Sequence, residues 1–210
     1  MAVAAEERSV HLAGSVLDRA RHVCAFFNSR EDEYRITLPF IHEGLALGEN
    51  AYHLTGAHRR DDHLGRLNAA GIDTVALQRS GQLELRGWDE TYFGGQGYFD
   101  PDRWLAVLEQ ALASGPRITR FVAHMEWALE DRPGVDRIVE YEARANYLWP
   151  KYKDAVICCY DLTRFSGDVV IDIMRTHPLV IIGGILQENP FFVSPDELIQ
   201  EIRSRRGGAA

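Results

Sequence analysis

Short apolar runs alternate along the chain with stretches whose apolar residues recur every three or four positions. Runs at 22–27, 51–55, 72–77, 117–123, 155–160 and 179–186 predict strands. The run "AVICCY" is apolar at every position, as a strand covered on both faces must be. Between the runs, Tyr34, Leu38, Ile41 and Leu45 share one helical face, and Ile138, Tyr141, Ala145 and Leu148 share another. This alternation predicts an α/β fold with a mostly parallel central sheet and helices on both faces.

Local signals set the ends of these elements. Gly48 stops the first helix, and Pro39 disfavours α geometry at Leu38, which predicts a kink or a late start. Asp100 and Pro101 open a helix carrying Trp104, Leu105, Leu108 and Leu112, and Gly115-Pro116 closes it. Ser194, Pro195 and Glu197 form a capping box for a last helix bearing Leu198, Ile199 and Ile202. One stretch, "LQRSGQLELRGWDETYFGGQGYFD", breaks the alternation: it reads as a strand, a Ser-Gly turn, a second strand and a long loop rich in glycine and aromatics. Its Trp88, Tyr92, Phe93, Tyr98 and Phe99 either line or cap an apolar pocket, or pin the loop to the core.

Composition narrows the function classes. With 210 residues, 46% of them apolar and 26% charged, the chain reads as one folded domain over 1–210, with 1–21 an N-terminal helix or arm and 205–210 a flexible tail. The net charge of −8, with "RSRRGG" the only basic cluster, argues against direct nucleic-acid binding. No apolar run approaches the ~18 residues that span a bilayer, and the acids of "MAVAAEERSV" do not fit a signal peptide. No membrane contact and a cytoplasmic location are therefore expected. Cys24, Cys158 and Cys159 lie in strand-like runs without CxxC spacing, which fits buried apolar residues.

Candidate chemistry starts at "HVCAFFNSREDEY", a strand, turn and helix start where a nucleotide-binding α/β protein keeps its phosphate loop. The turn has no glycine and no Lys-Ser/Thr pair, and Glu31, Asp32 and Glu33 would repel a phosphate. Ligands of open parallel sheets sit at the carboxyl ends of the strands. Those ends, with Tyr92 from the aromatic loop, collect Phe27, Asn28, Thr55, His58, Trp88, His124, Glu126, Trp127, Tyr160, Asp161 and Asn189. They suit a small organic ligand better than ATP.

Catalytic groups, cofactors and metals are not expected. "IHEGL" lacks a second histidine four residues on, and His53, His58 and His63 are not held on one face. His124 and Glu126, two apart on a strand, point the same way and could supply two ligands or an acid–base pair, with no third partner evident. His22 and His177 open strands at the distal edge and read as hydrogen-bonded structural histidines. Rival readings are an enzyme using Glu126 or Asp161 as base beside His124 or His58, an unconventional nucleotide binder, and a ligand-free partner switch.

The segments "HVCAFFNSREDE", "PFIHEGLALGEN", "GQLEL", "YFDPDRWL", "HMEWAL", "YEARANYL", "VICCYDLTRF", "MRTHPLVIIGG" and "ENPFF" occur in the order of the MEDS domains, the methanogen/methylotroph DcmR-type sensory domains. The chain resembles that family over 22–192. The resemblance implies a RecA/KaiC-like three-layer sandwich lacking the phosphate loop, and a role in sensing small hydrocarbon derivatives such as halogenated methanes. It also implies output through a histidine kinase or a transcription regulator, as family members are often joined to such modules; a homodimer is the alternative route of output. Positions matching its motifs are His22, Phe27, Glu31, Glu126, Trp127, Tyr141, Glu142, Tyr160, Asp161, His177, Asn189 and Pro190.

Overall fold

Strand β1 (Val10–Leu12) and strand β2 (Ser15–Leu17) pair antiparallel around a turn at Ala13-Gly14, in a computed structural model that describes residues 9–17, 21–115 and 117–207. This part of the expected helix or arm is thus a ribbon. Residues 1–8 and 18–20 lie outside the described residues. Chain order continues with β3 (His22–Phe27), α1 (Arg30–Ala46), β4 (Asn50–Thr55), α2 (Arg60–Ala69), α3 (Thr74–Ser80), β5 (Leu83–Gly87) and α4 (Pro101–Ser114). After these come β6 (Thr119–His124), α5 (Ile138–Ala145), β7 (Ala155–Asp161), α6 (Gly167–Met174), β8 (Leu179–Ile182), β9 (Ile185–Glu188) and α7 (Pro195–Gly207).

The main sheet runs β5-β4-β6-β7-β3-β8-β9, and only the β8–β9 pairing is antiparallel. Helices cover both faces, as the alternation predicts. On one face Cys24, Phe26, Phe121, Val156 and Tyr160 pack with Trp104 and Leu108 of α4, Tyr141 of α5 and Ile173 of α6. On the other, Val23, Ala25, Val122, Ile157 and Cys159 pack with Phe40 and Ile41 of α1, Leu67 of α2 and the ribbon's Val10, Leu12 and Leu17. All three cysteines are free and buried, matching their apolar surroundings in sequence. Among the described residues, no helix is long and apolar enough to cross a membrane.

Three expectations about the elements are corrected or narrowed. The run 72–77 is not a strand: Asp73 accepts a hydrogen bond from the Ala76 amide and caps α3, so the predicted hairpin is a helix followed by β5. Of the two outcomes expected at Pro39, the late start does not occur: α1 starts at Arg30 behind the Ser29 cap and continues through the proline, burying Tyr34, Phe40 and Ile41. The run 179–186 is not one strand, because Gly183 and Gly184 at φ 60° and 81° reverse the chain into β9. The tail expectation also shifts, since α7 takes in residues 205–207, and 208–210 lie outside the described residues.

Candidate functional site

At the carboxyl end of the sheet, where a phosphate loop would lie, the first turn of α1 turns Glu33 inward. Glu33 accepts two hydrogen bonds from Arg59 Nη2, at 2.9 and 2.8 Å, and one from His124 Nε2 at 2.7 Å. Arg59 Nη1 donates to Glu126 Oε1 at 2.7 Å. All four side chains are buried. His124 Nδ1 faces the Leu54 carbonyl at 3.1 Å, so both ring nitrogens meet acceptors, a pattern met by two N–H donors. Two carboxylates then balance a guanidinium and an imidazolium, which is the condition for burying such charges.

A second chain of polar groups leads away from this network. Tyr34 donates to His63 Nδ1 at 2.6 Å, and His63 Nε2 meets His53 Nδ1 at 2.8 Å. Burial, joined by the neighbouring His124, lowers His53 to about 3, and burial with His53, His124 and Arg59 lowers His63 well below its ordinary value. Both are neutral at physiological pH and serve as a relay of single donors and acceptors. His53 and His63 therefore do come together, against the sequence reading, while His58 stays exposed on the rim, edge-on to Trp88 at 5.7 Å.

The network makes Glu33 a pH-dependent support of the fold. Burial raises its carboxyl, but His124 and Arg59 outweigh that and bring it down to about 2. In the unfolded chain a glutamate titrates near ~4.3, so the unfolded state takes up the proton first as pH falls. The contribution, about 3 kcal/mol, is complete above pH ~4.3 and is lost as pH drops through about 2. Denaturant titrations between pH 5 and 2 should show this loss, and Glu33→Gln should flatten it; an unchanged acid slope in that variant would contradict the assignment.

The residues singled out from sequence divide between the two faces and the rim. Phe27, Thr55 and His124 lie on the α1 face, and Trp88, Tyr92, Trp127 and Tyr160 lie on the α4/α5 face. Tyr92 stacks on Trp127 at 4.4 Å, Phe99 sits 4.3 Å from it, and Trp88 Nε1 donates to the His124 carbonyl at 3.1 Å. Asn28 is exposed, and Asp161 accepts from the Thr163 amide and hydroxyl, closing its own turn. Glu126 leaves the strand into a 3-10 turn (Met125–Leu129) and does not pair with His124. The acid–base sets Glu126 or Asp161 with His124 or His58 are thus not assembled. Asn189 belongs to the opposite end of the sheet, because the glycine turn sends β9 back; it donates to the Met174 and His177 carbonyls at 2.5 and 2.7 Å.

Sequence reading missed the partners Glu33, Arg59 and, at that opposite end, a second buried cluster. His22 Nε2 lies 3.1 Å from Glu142 Oε2, His177 Nε2 lies 3.5 Å from the same oxygen, and Cys158 Sγ lies 3.6 Å from His22 Nε2. Tyr160 donates to Glu142 Oε1 at 2.7 Å. Four of the positions that carry the family resemblance, His22, Glu142, Tyr160 and His177, therefore converge. The signal was available: those residues fall in separate quoted segments, and only their convergence was hidden.

Solved structures resemble this fold. They include a KaiC-like protein, PH0186 from Pyrococcus horikoshii OT3, at TM-score 0.56 and 15% identity, covering 80% of this chain and 73% of that one. An uncharacterized protein, PH0321 from Pyrococcus horikoshii, solved with an unknown peptide, gives TM-score 0.60 and 13% identity over 80% and 78% of the two chains. The flagellar accessory protein FlaH from Methanocaldococcus jannaschii gives 0.52 and 12% over 80% and 75%. These confirm a KaiC-like fold with a mostly parallel sheet. Among curated proteins, the transcriptional repressor DcmR of Methylorubrum extorquens is 24% identical over 172 residues, 79% of this chain and 61% of that protein. The chain thus spans less than two thirds of that relative. The sequence pattern of the MEDS family matches residues 21–178, and the chain belongs to that family, the MEthanogen/methylotroph, DcmR Sensory domain.

Proposed function

We propose that this sensory domain is non-catalytic, binds a small, largely apolar organic molecule at the carboxyl end of its sheet, and passes occupancy to a transcription regulator, a histidine kinase or a second copy. One observation carries the reading. The phosphate position is filled by Glu33, Arg59, Glu126 and His124, while the buried polar atoms Thr55 Oγ1, Glu126 Oε2 and Arg59 Nε have no protein partner. Such atoms cost free energy unless a small molecule or water satisfies them. The aromatic cover of Trp88, Tyr92 and Trp127 offers the apolar remainder of the contact. Nucleotide is disfavoured here because the cation that could meet a phosphate is held by two carboxylates. The repressor relationship supports a regulatory output, and exposed Ile182, Ile185, Phe191 and Phe192 near the β9 edge favour output through a surface.

A thermal-shift screen of small alcohols, halogenated methanes and short hydrocarbons tests the reading. A ligand selective for the native state stabilises it by about 2.7 kcal/mol at a hundredfold excess over Kd. At least one compound should raise Tm in the unmodified chain and lose that effect in Trp127→Phe, whereas ATP with magnesium should give no heat in calorimetry. A screen without any stabilising compound, or clear ATP binding, would overturn it.

A further inference from the structure

We propose that His22 Nε2, His177 Nε2, Glu142 Oε2 and Cys158 Sγ form a binding site for a divalent transition-metal ion, with zinc the ion that fits. The four donor atoms lie within 4.8 Å of one another, and all four residues are buried. A tetrahedral ion with bonds of ~2.0–2.3 Å needs ligand–ligand edges of about 3.3–3.7 Å. The edges His22–Glu142 at 3.1 Å, His177–Glu142 at 3.5 Å, Cys158–His22 at 3.6 Å and Cys158–Glu142 at 3.9 Å bracket that range.

Hydrogen bonds around the cluster aim the Nε2 atoms of both histidines into it. Asn146 Nδ2 donates to the Glu142, Ala143 and Thr176 carbonyls, which leaves Asn146 Oδ1 as an acceptor facing His22 Nδ1 at 3.1 Å. His177 Nδ1 faces the Ile173 carbonyl at 3.1 Å and, nearer, the Thr176 hydroxyl oxygen at 2.7 Å, whose own proton goes to that same carbonyl, so both neighbours of Nδ1 are acceptors. With an ion bound, each imidazole would keep its proton on Nδ1 and present Nε2 to the metal, the usual support of a metal-bound histidine; without one, His22 Nε2 shares a proton with Glu142 Oε2. His177 Nε2 has no hydrogen-bond partner despite full burial and faces a carboxylate oxygen, a contact between two electron-rich atoms that a cation would relieve. Tyr160 engages Glu142 Oε1 and leaves Oε2 for the ion.

Charge and donor type select the ion. A glutamate and a thiolate supply two negative charges, so a divalent ion with two neutral imidazoles leaves the buried site neutral. Mixed sulfur, nitrogen and oxygen donors in a four-fold set suit zinc over the hard calcium and magnesium ions. Binding releases to solvent the Cys158 thiol proton and the proton held between His22 Nε2 and Glu142 Oε2. With all four positions supplied by protein, the site is structural, tying β3, β7, α5 and the residues before β8 together.

Elemental analysis of the purified full chain should find one zinc per chain. After chelator treatment, added cobalt(II) should give visible tetrahedral bands and a thiolate-to-cobalt charge-transfer band. Cys158→Ser should abolish that band, His177→Gln should weaken zinc binding at least tenfold, and His42→Gln, on the exposed face of α1, should change neither. Absence of bound zinc and cobalt in folded, unmodified chain would overturn the proposal, as would binding indifferent to both cluster variants. Should those variants fail to fold, the charge-transfer band of the unmodified chain decides alone. The outcome is separable from the organic-ligand screen, since metal content is measured without any organic compound.

Discussion

Arg59→Met is expected to cost about 3–5 kcal/mol, read as a lower denaturant midpoint at unchanged slope. Arg59 is only 3% exposed and bonds Glu33 and Glu126 together. Methionine fills similar volume but removes the cation, so two buried carboxylates are left against the single ring of His124. Losing one partner of a buried pair costs far more than the pair was worth, because the remaining charge stays desolvated. A second variant isolates that cause. Arg59→Met with Glu126→Gln removes one of the stranded charges and should recover part of the loss, a coupling of about 0.5–3 kcal/mol. A single variant costing under ~1 kcal/mol would mean that water reaches these groups and the network does not hold the strand ends.

Gly134→Ala should destabilise by about 2–5 kcal/mol and loosen the aromatic cover. Gly134 sits at φ 87°, where a side chain adds about 1–2 kcal/mol of backbone strain. Its added Cβ would lie 2.1 Å from the Phe99 carbonyl oxygen, so backbone must move, at a further cost of about 1–3 kcal/mol. The two segments are also joined by the Phe99 amide donating to the Pro133 carbonyl at 2.9 Å. Phe99 in turn packs against Trp127 and Tyr141, so the displacement should reach the indole and change its fluorescence. Gly95→Ala serves as the comparison: φ there is 72°, with nothing within 4 Å of the new Cβ, so only the backbone share should appear. Equal losses in the two variants would refute the role given to the Phe99 contact.

Much of the fold was legible because it rests on neighbours in sequence. Apolar runs located β3, β4, β6 and β7, and the caps at Asp100 and Ser194 depend on residues two or three positions away. The short helix α3 was misread for a related reason. Its "TVALQRS" is β-branched and apolar at the start, and the Asp73 cap that decides for helix spans a single turn. Reading 179–186 as one strand overlooked how two successive glycines can reverse a chain, and so placed Asn189 at the wrong end of the sheet.

The site was legible only in outline. From sequence alone follow the absence of a phosphate-loop motif after β3, the acidic start of α1 and the supply of histidines and aromatics. What those groups do was decided by pairings across long separations: Glu33 with Arg59 at 26 residues, Arg59 with Glu126 at 67, Glu33 with His124 at 91 and His22 with Glu142 at 120. No periodicity or cap records such a pairing, because a buried charge chooses its partner by proximity in the packed interior. His124 was therefore visible as a polar residue on an apolar strand, but its partner became Glu33 and not Glu126 only when α1 was laid across the strand ends. His22 and His177 read as distal, and they are; the fold placed them with Glu142 and Cys158 because β3, β7 and the entry to β8 are neighbours in the sheet.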